Sequence, residues 1–425
     1  MTATGDWLAT TTVLAAEPER HEFGSPTYRG PLARLAIPGA VCLFALLVRL
    51  AYLRVTGHYP LSSDAAQYHQ LAASLVHGHG YAETYPQLAM HETAFRPPLY
   101  PLLLAFFYWI FGVSAGLGRA VNVCLGIGVV ALTFTTVQRH VSHRAAIGAS
   151  LAVAVMPNLV ANDTFTLDEP LALILILLLL NLLLSKRWLW SGAVTGLLVL
   201  TRPSAQYLVL VVWVIAKANW KRALAFGLAA LVVISPWLIR NWVQLGSPVI
   251  ATSNGFNWAA TYSPPAQRAG QSVDPIYDPY FNSMRIDQFD EVVWNDKLQS
   301  IGVQNLERHP TILAHVVARN VLQYFDLRPS LSSLGEKDDG RDLAIVDATL
   351  WIFYADLIAG VAGPWLLRRR QLVQLVTVQA AYFGLASLLF IAAPRLRAPV
   401  DLALAIGVGC LVEWAMARRQ VGVPR

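Results

Sequence analysis

The sequence has little charge. Asp, Glu, Lys and Arg make up 14% of its 425 residues and hydrophobic residues make up 55%, whereas a soluble globular chain has about 25% charged residues. Cysteine is also scarce: Cys42, Cys124 and Cys410 lie far apart in apolar segments, which excludes a disulfide framework and a zinc pattern. No dinucleotide fingerprint, P-loop or Ser-His-Asp signature occurs. The composition therefore indicates a polytopic membrane protein.

The sequence is rich in long apolar runs. Eleven apolar segments occur, near residues 36–54, 97–113, 119–138, 144–161, 169–185, 189–201, 204–218, 222–241, 347–367, 371–391 and 398–417. The net charge of +6 comes from short basic clusters at segment ends, which is typical of membrane orientation and does not indicate nucleic-acid binding.

Segment 97–113 decides the topology. It is short and contains three prolines together with Tyr100, Tyr108 and Trp109, which suits an interfacial helix. If it does not cross the membrane, most basic loop residues fall on the same side as Arg29 and Arg34, as the positive-inside rule prefers. We therefore predict about ten transmembrane helices, both termini in the cytoplasm, and an external loop over 55–118 that contains juxtamembrane helices.

The domain boundaries follow from this topology. Residues 1–34 are predicted to be a disordered cytoplasmic tail, 35–241 an N-terminal transmembrane catalytic module, and 347–417 the C-terminal transmembrane helices before a tail over 418–425. Residues 242–346 hold twelve acidic and eight basic residues and are predicted to form a small soluble external insert. Within the insert, Pro310 to Phe325 has a helical period after a proline, whereas Ser253 to Asp278 is predicted to be loop.

This topology gathers polar side chains at the predicted external face. The second external loop is predicted to carry Asp163. A further carboxylate, Asp64, follows the first span, and Asp168 and Glu169 lie in the same second loop. Each has a simpler explanation: Asp64 could cap a helix, and Asp168 and Glu169 could mark a helix start before Pro170. Further candidates at this face are Tyr68, His69, His77, His79, Glu83, His91, Glu92, Arg96, Arg202, Arg240, Asn257, Arg395 and Arg397.

The arginines and histidines also have two interpretations. Arg395 and Arg397 could anchor the last span at lipid headgroups, but an Arg-x-Arg pair can also bind a phosphate through charge-assisted hydrogen bonds. The histidines have no zinc spacing and are interpreted as surface or interfacial residues. Acids and arginines at one membrane face indicate a site that handles a phosphate and a hydroxyl together.

The order of these motifs resembles that of bacterial GT-C glycosyltransferases, in particular protein O-mannosyltransferases and lipid A aminoarabinose transferases. The resemblance covers about residues 36–415 and rests on Asp64-x-x-x-Tyr68, Arg96-Pro97-Pro98-Leu99-Tyr100-Pro101, Leu167-Asp168-Glu169-Pro170, Thr201-Arg202-Pro203, Pro236-Trp237-x-x-Arg240-Asn241 and Arg395-x-Arg397-x-Pro399. The aminoarabinose type carries an acid just before the basic-proline motif. Phe95 stands there in this chain, so Glu92 or Glu83 would have to substitute.

The resemblance implies the GT-C fold and the transfer of a sugar from a polyprenyl-phosphate donor, with inversion, on the external face of the plasma (inner) membrane. It implies that Asp64 is the base, that Asp168 or Glu169 is a second catalytic acid, and that Arg395 and Arg397 bind the donor phosphate. The acceptor is a lipid, glycan or protein hydroxyl.

Chemical reasoning completes the predicted site. A hydroxyl acceptor needs a base, and a phosphate leaving group needs fixed positive charge, to which Arg202 could contribute. No cofactor is essential, and although Asp64 with Asp168 or Glu169 could bind a divalent metal, none is favoured. The residues expected to bind substrate are Tyr68, His91, Glu92, Arg96, Arg240 and Asn257.

Two other functions remain open from the sequence. A transporter or flippase of lipid-linked sugars would carry ionisable groups within its spans and repeated halves, and Arg49 is one of few such groups here. A membrane scaffold with an external binding domain would leave the clustered acids and arginines unexplained.

Overall fold

A computed structural model describes residues 31–84, 89–215, 219–282, 290–328, 339–367 and 370–421. Residues 1–30 of the predicted N-terminal tail and 422–425 of the C-terminal tail lie outside the described residues. Residues 38–425 form one compact unit. The described part of the chain is almost entirely helical, which confirms the all-α prediction.

The first half contains ten helices and one hairpin. The helices are α1 Pro31–Thr56, α2 Ser63–Val76, α3 Leu99–Phe111, α4 Ala115–His140, α5 His143–Val155, α6 Pro157–Asp163, α7 Glu169–Leu184, α8 Trp188–Val199, α9 Leu208–Ile215 and α10 Trp220–Leu245, with a 3-10 turn at Pro203–Tyr207. Between α2 and α3, the strands β1 Ala82–Glu83 and β2 His91–Glu92 pair antiparallel, with Ala82 opposite Glu92.

The second half begins with five helices of the predicted insert and ends with three longer ones. They are α11 Ser253–Tyr262, α12 Pro264–Ala269, α13 Pro279–Asn282, α14 Glu291–Arg308, α15 Thr311–Tyr324, α16 Leu343–Leu366, α17 Gln371–Leu389 and α18 Ala398–Val421, with a 3-10 turn at Pro394–Arg397 before α18.

The membrane-spanning helices correspond to the predicted apolar segments. Among the described residues, six helices are long and apolar enough to cross a membrane, and α5 with α6, bent by 63° at Pro157, makes a seventh. The helices α7, α8 and the segment Pro203–Val212 are apolar but shorter. Within the described residues each predicted span therefore coincides with helical structure, and the count of ten crossings stays a prediction.

Helix α3 has the features expected of an interfacial helix. Its 13 residues extend about 20 Å, less than a hydrocarbon core of about 30 Å. One side packs Tyr100, Leu104 and Tyr108 into the protein, while Trp109 and Phe111 are exposed. The interfacial position that the charge pattern favours for α3 stays a prediction.

For the predicted insert, one secondary-structure prediction is confirmed and one is wrong. Helix α15 begins after Pro310 as expected. The expectation of loop over Ser253 to Asp278 is wrong, because α11 and α12 form there. Helix α11 is stabilised by packing on α14 and not by its own periodicity: a Cβ on Gly255 would lie 1.9 Å from the Asn295 carbonyl oxygen, and the Asn295 side chain accepts a hydrogen bond from the Gly255 amide at 2.7 Å.

Candidate active site

Asp64 lies in the first turn of α2 and faces two arginines from distant parts of the chain. Its Oδ1 accepts a short hydrogen bond from Arg96 Nη2, and its Oδ2 accepts one from Arg395 Nη2. The residue at the N-cap is Ser62, and no side chain caps this helix. The carboxylate of Asp64 is therefore used in ion pairs across the fold, and the capping alternative does not describe it.

Arg96 connects Asp64 to the first loop. Its Nε donates to Gln67 Oε1 at 2.6 Å, and its guanidinium lies 5.7 Å from the centre of the Tyr68 ring. Tyr68 is buried and packs edge-on against Tyr100 of α3 at 4.9 Å between ring centres. The loop motif and α3 thus hold one side of Asp64.

Arg395 holds the other side. It lies in the 3-10 turn that opens α18, and its Nε is 3.2 Å from Asp339 Oδ2. Its backbone carbonyl accepts a hydrogen bond from Asn162 Nδ2 at 3.2 Å. Its Nη1 is buried, and no acceptor contacts it within the described ranges.

A second acid–arginine group lies beside the first. Arg202 Nη2 is 3.3 Å from Glu169 Oε1, and Arg202 Nε is 3.7 Å from Asp168 Oδ2. Asp168 and Glu169 do stand at the start of α7 before Pro170, as the simpler alternative expected, but both side chains also face Arg202. The Oε2 atom of Glu169 is buried with no partner among the described residues.

The acids of the site differ in the pKa of their carboxyl groups. Burial alone would raise the pKa of Asp64, but the positive charges of Arg395 and Arg96 outweigh it and lower the pKa to about 2. Burial and the neighbouring Glu169 raise the pKa of Asp168. Burial raises the pKa of Asp339 to about 7, against the opposing charge of Arg395. At neutral pH Asp64 is therefore ionised, while Asp168 and Asp339 hold protons more readily.

Arg397 does not join this cluster. Its Nε lies 2.9 Å from Asp401 Oδ1, its Nη1 lies 3.1 Å from Asp326 Oδ2, and its guanidinium covers the Phe353 ring at 3.6 Å. The side chain is buried. Its charge is therefore compensated by two carboxylates beneath the site.

Arg240 and Glu92 stabilise the hairpin. Arg240 pairs with Glu92 and also donates to the backbone carbonyls of Thr93 at 2.6 Å and Tyr81 at 3.0 Å. His91, on the same strand as Glu92, has its Nε2 3.6 Å from Glu291 Oε2. Asn257 is half-buried in α11. These four predicted substrate-binding residues lie outside the contacts that join Asp64, Arg96 and Arg395.

Several residues of the cluster had no sequence signal. Asp339 lies in the acidic insert, where nothing distinguishes it from its neighbours. Arg341 donates to Asn158 Oδ1 at 2.5 Å and to Asn162 Oδ1 at 2.7 Å, and Asn162 in turn holds Arg395. The one sequence feature that could have indicated Asp339 is the position of Asp339 shortly before a predicted span.

Glu83 of β1 is the buried acid of the hairpin. Its side chain is fully buried, and Oε1 accepts a hydrogen bond from Thr93 Oγ1 at 3.1 Å. Burial, with the nearby charge of Glu291, raises its pKa to about 8. Within the described residues, no group of three or more His, Cys, Asp or Glu side chains has an arrangement that could hold a metal ion.

The chain is similar to known glycosyltransferases. The family model of dolichyl-phosphate-mannose-protein mannosyltransferases matches residues 95–240, which include Arg96, Asp168, Glu169 and Arg202. No curated protein sequence matches the chain at a significant level.

Solved structures extend the similarity to most of the chain. One is the archaeal oligosaccharyltransferase AglB from Archaeoglobus fulgidus in complex with an inhibitory peptide and a dolichol-phosphate, at 12% identity and a TM-score of 0.50 over 92% of this chain and 52% of that one. Another is ArnT from Cupriavidus metallidurans bound to undecaprenyl phosphate, at 16% identity and a TM-score of 0.40 over 92% of this chain and 79% of that one.

The chain spans about half the length of the archaeal oligosaccharyltransferase. The match to the archaeal structure is one of fold. The resemblance drawn from the motifs is confirmed: the chain has the GT-C fold.

Proposed function

We propose that this protein transfers a sugar from a polyprenyl-phosphate donor to an acceptor hydroxyl at the external face of the membrane, with inversion at the anomeric carbon. One observation carries the proposal: Asp64 and Arg395, predicted to be the base and a phosphate ligand, are in direct contact although they lie at opposite ends of the chain. The family match and the GT-C fold support sugar transfer from a lipid-linked donor.

The reaction needs a base and an anion-binding group within a few ångströms of one carbon. The acceptor oxygen forms a bond to C1 while the bond from C1 to the phosphate oxygen breaks on the opposite face. The acceptor proton moves to the Asp64 carboxylate, which is ionised at neutral pH because its pKa is about 2. The lipid phosphate leaves with the electron pair of the broken bond and one additional negative charge.

Arg395 is the first candidate for that charge, because its Nη1 is buried and has no acceptor among the described residues. Arg202 lies next to it in the cluster, and its charge lowers the pKa of Asp64 together with Arg395 and Arg96. Fixed guanidinium groups in a water-poor site stabilise a developing phosphate charge without reorganisation. Arg397 is left out of this role because it pairs with Asp326 and Asp401, outside the cluster around Asp64.

The acids Asp168 and Glu169 are proposed to orient Arg202. Both contact that guanidinium, Glu169 at 3.3 Å and Asp168 at 3.7 Å, and so fix its direction in the cluster. Glu92 and Arg240 are proposed to hold the hairpin between α2 and α3 in place, because their contacts join its two strands to α10.

The test uses the purified protein in detergent with a panel of polyprenyl-phosphate sugars and hydroxyl acceptors. Mass spectrometry follows the release of free polyprenyl phosphate together with a glycosylated product. We expect Asp64→Asn and Arg395→Ala to abolish release, since the first removes the base and the second removes the phosphate ligand. The matched controls Asp347→Asn and Arg268→Ala, both exposed, should retain wild-type rates.

A flippase would give a different result. It would move the lipid-linked sugar across vesicle membranes without breaking the bond between sugar and phosphate. Arg49 does not support that function, because it is paired with Asp163 inside the fold and contacts none of the described residues of the Asp64 cluster. Translocation by the wild-type protein without any released polyprenyl phosphate would replace the transferase proposal.

A further inference from the structure

The planar guanidinium group of Arg395 has two edges with different partners. The Nε and Nη2 atoms share one edge of the planar group, which contacts Asp339 and Asp64. The Nη1 and Nη2 atoms share the other edge, which can bind a carboxylate or phosphate through two parallel hydrogen bonds. Only half of this second edge is used, since Nη2 contacts Asp64 and Nη1 has no partner among the described residues.

The short segment from Asp339 to Arg341 holds Arg395 in position. Gly340 has a φ of +71°, and a Cβ there would lie 2.3 Å from a ring carbon of Phe165. The two residues that flank Gly340 both support Arg395. Asp339 contacts Arg395 Nε directly. Arg341 donates a hydrogen bond to Asn162, and the Asn162 side chain donates one to the Arg395 carbonyl.

The backbone and the Nε end of Arg395 are therefore both immobilised by contacts that do not involve Asp64. If Asp64 left Nη2, the guanidinium would keep its position through Asp339 and Asn162. This separates two roles of Arg395: one edge anchors it, and the other edge is available to an anion.

We infer that Asp339 is a positioning residue that holds Arg395 in place while the lipid phosphate of the donor displaces Asp64 from Nη2 and occupies the Nη1–Nη2 edge. This inference rests on the proposed function. Donor binding then releases Asp64 from one of its two arginines. The carboxylate becomes free to accept a proton only after the phosphate is bound.

The arrangement links the two substrates. Asp64 is held by Arg395 and Arg96 together, so its basicity is low. With phosphate on Arg395, only Arg96 remains on the carboxylate, and a negatively charged phosphate lies nearby. Both changes make Asp64 a stronger base at the time when C1 is present to be attacked.

The inference makes an unusual prediction for binding. Because Asp64 and the phosphate compete for Nη2, removing the charge of Asp64 should strengthen phosphate binding even though it abolishes transfer. We expect Asp64→Asn to bind undecaprenyl phosphate about tenfold more tightly than the wild type, as expected when a charge-assisted hydrogen bond no longer has to be broken.

Removing the side chain of Asp339 should have the opposite effect on phosphate binding. Asp339→Ala leaves Arg395 Nε without its acceptor and should weaken undecaprenyl phosphate binding about tenfold. It should raise the KM for the donor more than it lowers kcat. Asp339→Asn keeps an acceptor oxygen for Nε and should restore binding to within about threefold of the wild type.

The experiment measures binding of undecaprenyl phosphate to the full-length protein in detergent, for the wild type, Asp64→Asn, Asp339→Ala, Asp339→Asn and the exposed control Asp347→Asn. Tighter binding by Asp64→Asn, weaker binding by Asp339→Ala and rescue by Asp339→Asn support the inference. Equal or weaker binding by Asp64→Asn overturns the competition. A fall in binding that Asp339→Asn does not rescue overturns the positioning role.

These outcomes are separate from failure of the proposed function. If Asp64→Asn binds no more tightly but still loses transfer, the base assignment stands and the competition is wrong. If the wild type binds undecaprenyl phosphate but transfers no sugar from any donor, the transferase proposal fails whatever the binding order. If neither the wild type nor any variant binds this lipid, both fail.

Discussion

Arg49 and Asp163 form a buried ion pair that fixes the bend in the third predicted span. Arg49 Nε and Nη2 donate to Asp163 Oδ2 at 2.8 and 2.5 Å, and both side chains are almost completely buried. Arg49 Nη1 also donates to the carbonyls of Ala45 at 3.1 Å and Ala154 at 3.2 Å. The pair thus connects α1 to the last turn of α5 and the end of α6.

Removing one partner leaves the other charge buried and uncompensated, which costs about 3–5 kcal/mol. At about 2 cal/mol/K of unfolding entropy per residue, this corresponds to a melting temperature lower by about 3–6 °C for a chain of this length. Asp163→Asn is the suitable change because Gly126 leaves no room for a larger side chain: a Cβ there would already lie 2.3 Å from Asp163. The double variant Arg49→Met with Asp163→Asn should recover a large part of the loss.

Thermal unfolding in detergent, followed by tryptophan fluorescence, measures these differences. Arg54→Met is the control, because Arg54 is exposed on the same helix and its loss should leave the melting temperature unchanged. The reasoning is refuted if Asp163→Asn melts with the wild type, or if the double variant melts no higher than the less stable single variant.

Three further predictions concern the site and its support. Gly340→Ala should lower both the melting temperature and transfer, since a Cβ at a positive φ would overlap Phe165 and displace Asp339; unchanged activity would contradict this. Glu83 has a pKa raised by burial to about 8, so the folded state keeps a proton that the unfolded chain releases above about pH 4.5. Stability should therefore fall as pH rises from about 4.5 to 8, by up to about 1.4 kcal/mol per pH unit, and Glu83→Gln should flatten this slope in melts across that range. Arg397→Met should reduce stability by about 3–5 kcal/mol, because it leaves two buried carboxylates unpaired; transfer that is lost at full stability would instead favour a direct role for Arg397.

The spans and the order of the polar motifs could be predicted from the sequence because each signal is local. A run of apolar residues indicates a span by itself, and a carboxylate or arginine at the end of a span belongs to a membrane face. The grouping of Asp64, Arg395, Arg202 and the acids before α7 at one face was expected on these grounds. The direct contact of Asp64 with Arg395 and the pairing of Arg202 with those acids were not predicted.

Other features depend on contacts that no local pattern contains. Helix α11 forms because it packs on α14 through Gly255, which periodicity cannot reveal. Arg395 and Arg397 look equivalent in sequence, yet they point in different directions in the 3-10 turn, and Arg397 meets Asp401 one helical turn later. Asp339 reaches the site only because Gly340 turns the chain against Phe165.

Release of polyprenyl phosphate by Asp64→Asn tests the central claim most directly. The purified variant is loaded with a polyprenyl-phosphate sugar that the wild type uses, and bound donor and released lipid are measured in a single turnover. The account predicts that the variant binds the donor and releases no polyprenyl phosphate, while Asp347→Asn releases it at the wild-type rate. Release by Asp64→Asn at the wild-type rate would show that another group takes the acceptor proton, and the assignment of Asp64 as base would be wrong.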